Sequence, residues 1–275
     1  MGLKIAVAKI DPFTIVWFRF ALAFLVLFLI FLYKKKEELS ILVKPPLLLV
    51  VAAVFLGINY YGFMAGIQKT SPNSAQVVMQ VGPVILAMIG VLAFKEKIKG
   101  RQAIGFAITM IGLGLFYREQ ISMMTSKDLF NEGMMWIFIG AISWVVYAAL
   151  QRGLVRRYRP QQLNLMLYGL PAFAYLFLAE PASLNGMSIQ FWLLMIFLAM
   201  NTLLSYGALA EALKLSDANT VSVILICNPI ITIITMWILG VFDVPWIEKD
   251  YMSAQSLMSA VLVLCGAGMA VFKGK

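Results

Sequence analysis

Long apolar runs alternate with short polar segments along almost the whole chain. Each run has about the 20 residues that a helix needs to cross the hydrocarbon core of a bilayer. The pattern predicts nine complete membrane spans, at residues 12–33, 46–68, 72–94, 101–117, 133–150, 161–179, 188–211, 218–241 and 253–272. Residues 1–10 are also apolar but too few to span, so we interpret them as the tail of a further helix whose front half is missing.

A polar stripe follows one face of the span at 72–94, which is otherwise apolar. Ser71 is placed to cap the start of this helix, because a serine side chain accepts a hydrogen bond from the first free backbone amides. The stripe residues follow one another at helical spacings of three and four: Asn73, Gln76, Gln80 and Pro83. We call these four residues the first stripe.

The first stripe has a partial copy in the second half of the chain. The copy lies at one constant separation from its counterparts and consists of Asn219, Ser222 and Pro229. Glycines near the ends of two spans recur as well: Gly112, Gly114, Gly266 and Gly268. Small residues of this kind favour close packing of membrane helices, which is the role that we expect for them.

The recurrence divides the chain into two related halves of five helices each. Because five is odd, the second half would enter the membrane in the opposite orientation, which is the inverted repeat of many secondary transporters. The predicted fold is an all-α integral membrane bundle of ten helices, five plus five, with the first half of helix 1 missing. The halves are expected at residues 1–118 and 132–273, joined by a connecting loop at 119–131.

Composition agrees with a membrane protein. Hydrophobic residues make up 62% of the 275 and charged residues 13%, against about half and a quarter in a soluble domain. The net charge of +9 lies in short loops rather than along one basic face, which argues against a nucleic acid as partner. The chain has no His, and Cys227 and Cys265 lie inside apolar runs, so neither a metal site nor a disulfide framework is predicted.

Lysine and arginine are concentrated in alternate loops. If Lys34, Lys35 and Lys36 face the cytoplasm, successive crossings place most of the other cations on the same side. The opposite side holds Lys9, Lys69, Arg118, Lys127 and Lys249. Because cytoplasmic loops carry an excess of Lys and Arg, this bias predicts a cytoplasmic C-terminus.

Several short motifs along the chain resemble those of one family, the drug/metabolite transporter superfamily and in particular its EamA-type transporters. The matching residues are Asp11-Pro12-Phe13 followed by Arg19, Thr70-Ser71-Pro72 leading to Pro83, Glu96, Ala212-Leu213-Lys214 and Pro229. The resemblance implies a ten-helix exporter of small metabolites in the bacterial plasma (inner) membrane, with amino acids as the first substrate class to test. In that family helix 1 helps to line the cavity.

Polar and aromatic side chains inside the spans are the candidate substrate ligands. An amide in a membrane helix is unfavourable unless it is paired, so such residues usually face a bundle interior or a water-filled cavity. The predicted substrate-binding residues are Gln76, Gln80, Tyr60, Tyr61, Asn59, Trp144, Tyr147, Asn201, Ser205 and Ser222. The alternative is that the glutamines bond neighbouring helices and that the aromatic side chains face lipid.

Prolines and asparagines of the two stripes are candidates for gating. Pro83 and Pro229 each remove an intrahelical hydrogen bond, so each is a hinge or a fixed kink. Asn73 and Asn219 lie close to helix starts and act either as gates or as caps.

Two charged residues inside the spans are candidates for charge coupling. Arg19 is too deep to reach the outer surface easily, so we expect it to pair or to line the cavity mouth. Glu211 lies near the cytoplasmic end of its span, where a surface ion pair with Lys214 is the alternative role.

These residues together predict a secondary transporter that exports a small neutral or zwitterionic metabolite by alternating access, with the lipid bilayer and a small molecule as its partners. No cofactor is implied, because no phosphate loop or dinucleotide motif occurs. An integral-membrane enzyme would need clustered His, Asp or Glu, and a non-transporting or defective paralogue is the other alternative. The sequence leaves open whether the chain forms a homodimer.

Overall fold

The structure is a computed structural model that describes residues 2–85, 100–123, 127–215, 225, 228–242 and 252–271. Within these ranges the chain forms helices and no strand. The helices are α1 (Gly2–Val7), α2 (Pro12–Lys34), α3 (Ser40–Val43), α4 (Leu47–Lys69), α5 (Pro72–Met79), α6 (Gly100–Met123), α7 (Lys127–Leu154), α8 (Pro160–Leu176), α9 (Ile189–Leu215), α10 (Asn228–Val241) and α11 (Ala254–Val271). Short 3-10 turns occur at Lys36–Leu39 and Pro181–Leu184.

Membrane-spanning length and apolarity are clear in several of these helices. Within the described parts of the chain, four helical stretches are long and apolar enough to cross a bilayer: Pro12–Lys34, Leu47–Lys69, Phe130–Leu154 and Ile189–Leu215. Their bounds lie within about four residues of the predicted spans at 12–33, 46–68, 133–150 and 188–211. The all-helical, multi-pass character of the chain is therefore confirmed, while the count of ten helices stays a prediction.

Side-chain caps begin two of the helices, and the sequence predicted the one at Ser71. The Ser71 hydroxyl accepts a hydrogen bond from the backbone nitrogen of Ser74 at 3.1 Å, which confirms the predicted cap of α5. The Asp11 carboxylate accepts one from the nitrogen of Thr14 at 2.9 Å at the start of α2. In both helices a proline follows the cap, where its missing N–H leaves no helical bond unmade.

The helix that carries the first stripe is interrupted. It ends at Met79, Gln80 forms a turn, and residues 81–85 are helical again. Pro83 explains the interruption, because it has no N–H for the carbonyl of Met79 and its ring crowds that oxygen. The Gln80 nitrogen bonds instead to the carbonyl of Val77 at 3.2 Å, a tighter turn than that of an α-helix.

The helices form two compact units, and each unit takes segments from both predicted halves. The first unit comprises Ala65–Val145 and Ala218–Lys275, together with Met1. The second unit comprises Gly2–Met64 and Val146–Asp217. The helices α4 and α7 therefore contribute one end to each unit.

The first unit is built on the pairing of α6 with α11. A methyl group on Gly266 would come within 2.5 Å of the Thr109 backbone nitrogen, and one on Gly105 within 2.5 Å of the Ala270 nitrogen. Glycine therefore lets these two backbones touch. Of the glycines predicted to allow close packing, Gly112 also lies at this contact, whereas Gly114 and Gly268 face open space.

The second unit packs α2 against α8 and α9. Its core is aromatic: the rings of Phe20 and Tyr168 are both fully buried, with centroids 6.3 Å apart. The Tyr168 hydroxyl donates to the carbonyl of Leu203 at 3.4 Å, which links α8 to α9. This core holds three helices around the one buried cation of the described second unit, Arg19.

Candidate functional site: a buried arginine with a tyrosine cluster

Arg19 is held inside the second unit by two neighbours. Its side chain is 6% exposed. The Nε atom donates a hydrogen bond to the Thr202 hydroxyl on α9 at 3.0 Å. The guanidinium carbon lies 4.8 Å from the centroid of the Tyr60 ring on α4, a distance typical of a cation–π contact. Thr202 donates its own proton to the carbonyl of Leu198 at 3.1 Å, so its oxygen is oriented to accept from Arg19.

Among the described residues of the second unit, the charge of Arg19 has no counterion. Among the residues that the structure describes, no carboxylate forms an ion pair with it. Its one hydrogen bond there is the Nε donation to Thr202, so the two terminal nitrogens have no acceptor within the described chain. A buried cation without a counterion is unfavourable, and inside a membrane such residues mark ligand or ion pathways.

Three tyrosine side chains form a row in the second unit that begins at Arg19. The Tyr206 ring on α9 lies 5.3 Å from that of Tyr60 and 5.8 Å from that of Tyr147 on α7, measured between centroids. The Tyr206 hydroxyl points to the Asn59 amide oxygen at 3.5 Å, the long limit of a hydrogen bond. We call Tyr60, Tyr147 and Tyr206 the tyrosine cluster; it gives the site an apolar wall with polar tips.

Two polar side chains at the far side of the cluster are unsatisfied. Gln151 is fully buried, and neither its amide oxygen nor its nitrogen has a hydrogen-bond partner within the described ranges. The same holds for the Tyr147 hydroxyl. The two groups, one helical turn apart, approach each other without the geometry of a hydrogen bond. Each unmade bond costs about 1–3 kcal/mol, so these groups are poised for a partner.

A groove of about 500 Å³ lies along α2, α8 and α9 in the same unit. Its walls are mostly apolar, formed by residues such as Leu27, Phe31 and Leu204. It reaches Leu203, the residue after Thr202, and at its other end Lys34 and Lys35 line it. This volume is in the range of small-molecule sites.

Glu211 lies in the wall of the groove. Its carboxylate accepts a hydrogen bond from the Gln161 amide nitrogen at 3.3 Å. The same nitrogen also lies 3.3 Å from the carbonyl of Gly207. In the described chain no ion pair joins Glu211 to Lys214, so the carboxylate is held by an amide instead.

The first stripe lies in the first unit. Asn73, Gln80 and Pro83 are buried, and Gln76 is half-buried. The Gln80 amide nitrogen reaches back to the carbonyl of Gln76 at 3.4 Å, while its oxygen has no partner among the described residues. Trp144 packs beside this segment, since a methyl group on Gly82 would lie 3.1 Å from its ring.

The remaining predicted site residues are scattered. Pro229 is buried on α10, which packs against α5 in the first unit. Tyr61 is half-buried in the second unit and stacks on Phe13 with centroids 4.2 Å apart. Asn201 and Ser205 lie on an exposed face of α9. The predicted residues Asn219 and Ser222 fall outside the described residues.

Sequence reasoning left Thr202, Tyr206 and Gln151 out of the predicted site. Thr202 sits in an apolar run and has no distinguishing pattern, and its role appears only when α2 packs against α9. Gln151 had a usable signal, because it continues the face of Tyr147 at a spacing of four.

Known proteins resemble this chain along nearly its full length. The family model described as the EamA-like transporter family matches residues 1–118 and 131–272. A protein of Haemophilus influenzae named as an uncharacterized transporter is 29% identical over 97% of this chain and 88% of its own. The Escherichia coli K12 inner membrane transporter YhbE, also named as uncharacterized, is 29% identical over 97% of this chain and 84% of its own.

Two proteins of lower sequence identity also resemble this chain. The Bacillus subtilis protein YyaM, named as an uncharacterized transporter, is 26% identical over 86% of this chain and 80% of its own. A solved crystal structure aligns with a TM-score of 0.65 over 96% of this chain and 90% of that chain at 16% identity, which supports the fold alone. Because the family model matches most of the 275 residues, the chain belongs to the EamA-like transporter family.

Proposed function

We propose that the protein is a secondary transporter that exports a small zwitterionic or neutral metabolite by alternating access, with amino acids as the first class to test. Its binding site is the group formed by Arg19, Thr202 and the tyrosine cluster. One observation carries the proposal: Arg19 is buried in a membrane-spanning helix without a counterion among the described residues. Ionisable residues at such positions usually serve a substrate or ion pathway.

The alternative for this group is a purely structural role, and the unsatisfied atoms argue against it. A structural polar network in a membrane would satisfy its members, since the surrounding lipid offers no replacement bonds. Here the Gln151 amide and the Tyr147 hydroxyl stay without partners in the described chain. A ligand that bonds to them would recover the lost hydrogen bonds, which favours a binding site.

The interrupted helix of the first unit is the proposed moving part. Pro83 leaves the Met79 carbonyl without its helical partner, and the chain already bends at Gln80. Broken helices of this kind occur in transporters where the freed backbone faces a cavity or a neighbour. We assign a hinge to Pro83 and Pro229, and a gate to Asn73 and Asn219. The cytoplasmic C-terminus completes the proposed topology.

Efflux from proteoliposomes tests the proposal. Vesicles that contain the full chain are loaded with a labelled mixture of the twenty common amino acids, and efflux is compared with that of protein-free vesicles. We expect release above the protein-free rate, saturating with internal concentration and accelerated by unlabelled amino acids outside. Equal release from both kinds of vesicle would exclude amino-acid transport.

A further inference from the structure

We propose that Arg19 is the receptor for a carboxylate group of the transported molecule, so that the substrate class is an organic acid or zwitterion with one free carboxylate. The inference rests on the proposed transport function and deepens it.

The two neighbours of Arg19 occupy its Nε atom and one face of its guanidinium group. Thr202 takes up Nε from α9, and the Tyr60 ring covers the planar group at 4.8 Å. The terminal nitrogens, Nη1 and Nη2, have no acceptor among the described residues. They form a planar pair of donors whose spacing matches the two oxygens of a carboxylate. The geometry is therefore already fixed for bidentate binding.

Charge balance favours a ligand with a single carboxylate group. Arg19 is the cation of this buried group, and no carboxylate of the described chain neutralises it. One bound carboxylate would cancel one positive charge. A phosphate ester would bring a second negative charge into a site whose other polar groups are neutral hydroxyls and amides, which is unfavourable inside a membrane.

The groove along α2, α8 and α9, which is lined by two lysines and one carboxylate, is the proposed approach to Arg19. Lys34 and Lys35 lie at one end of it, and Lys34 forms no ion pair with any described residue. Leu203 also lines the groove, and it follows Thr202 in the sequence, the residue that accepts the hydrogen bond of Arg19. Lys35 already pairs with Glu38 at 3.9 Å, so Lys34 is the lysine at this end that would attract a carboxylate. Glu211, the carboxylate in the wall of this groove, accepts a hydrogen bond from the Gln161 amide.

The competing explanation is that Arg19 only ties α2 to α9. The two roles predict different selectivity between substrates. A structural tie affects all substrates equally, whereas a receptor separates an acid from the amide that lacks its carboxylate. A site built to bind a charged group should reject the analogue that lacks it by at least about tenfold.

The test compares the twenty amino acids with the matching set of amino-acid amides. Both mixtures are used in efflux from proteoliposomes and in thermal melts of the solubilised full chain. The variants are Arg19→Gln and Arg19→Lys, the latter keeping the charge if the former does not fold. We expect the wild type to release acids at least about tenfold faster than amides, Arg19→Lys to keep part of that ratio, and Arg19→Gln to lose it.

Efflux and thermal melting together show which of the two proposals fails, transport or the carboxylate receptor. Efflux of acids and amides at equal rates would support transport and overturn the carboxylate receptor. Stabilisation of the melt by acids but not amides, lost in Arg19→Gln, together with no efflux, would support the receptor and overturn transport. Neither efflux nor stabilisation would contradict both. Stronger stabilisation by inorganic phosphate than by acetate would overturn the choice of a carboxylate.

Discussion

The Nε atom of Arg19 donates a 3.0 Å hydrogen bond to the Thr202 hydroxyl, and this contact joins α2 to α9 at a buried position. The bond fixes the guanidinium plane, so that its terminal nitrogens are oriented without the help of a carboxylate. The same bond gives the first prediction.

Thr202→Val should lower stability, because it removes the acceptor of a buried charged donor while keeping the shape of the side chain. We expect a loss of about 1–3 kcal/mol, seen as a lower melting temperature of the solubilised protein. Thr235→Val is the matched control: its hydroxyl bonds to the carbonyl of Ile231 in its own helix and is exposed. Equal melting of the two variants would contradict a role for Thr202 in holding the arginine.

Gln151→Leu should raise stability and lower efflux. It removes two buried polar atoms that have no partner in the described chain, and each such atom destabilises by about 1–3 kcal/mol. The efflux should fall because the proposed ligand loses a bond. Gln162→Leu is the control, since that amide donates to the carbonyl of Glu38 at 3.3 Å and its loss should not stabilise. A less stable Gln151→Leu protein would show that the amide is satisfied.

The sequence predicts most of the helices for a simple reason. An apolar run of about 20 residues is the length that a bilayer requires, and residues such as Ser71 and Pro72 mark where a helix begins. The interruption at Gln80 can also be predicted, because a proline removes the hydrogen bond to the carbonyl four residues before it. These effects depend on residues close together in the sequence, so the sequence alone is enough to predict them.

The composition of the site was less predictable because it depends on packing. Arg19 and Thr202 are far apart in the chain and meet only when α2 and α9 pair. Trp144 and Tyr147 share one helix and one sequence pattern, yet the first belongs to one compact unit and the second to the other. Helical periodicity states which face a side chain occupies, but not which neighbour that face meets.

Gly266→Ala should destabilise the first unit, whereas Gly268→Ala should not. A methyl group at Gly266 would lie 2.5 Å from the Thr109 nitrogen on α6, while the same group at Gly268 would meet nothing within 4 Å. Separation of the two backbones should cost about 1–3 kcal/mol. Thermal melts of the two single variants measure this. A loss of the same size in both would indicate that helix propensity, not contact, decides the outcome.

Pro83→Ala tests whether the interruption near Gln80 is a hinge. Alanine restores an N–H that can bond to the Met79 carbonyl, so the helix should become continuous and hydrogen exchange at residues 80–84 should slow. Efflux should fall several-fold while the melting temperature stays equal or rises. Pro171→Ala, inside α8, is the control for loss of a proline in a membrane helix. Unchanged efflux with slower exchange would mark Pro83 as a fixed kink.

The first stripe has its own test in the double variant Gln76→Ala with Gln80→Ala. If these amides contact the substrate or its path, efflux should fall at unchanged thermal stability. Gln190→Ala removes an exposed amide from the start of α9 and serves as control. Full efflux by the double variant would assign the two glutamines to contacts between helices.

The most direct test of the proposed site is counterflow of labelled amino acids into proteoliposomes that contain equal amounts of folded wild-type or Arg19→Gln protein. We expect the initial rate of the variant to be lower by at least about tenfold, because the buried cation is the group that selects the ligand. Thr235→Val should keep the wild-type rate. Equal rates for the wild type and Arg19→Gln would show that the transported molecule does not bind at the buried arginine.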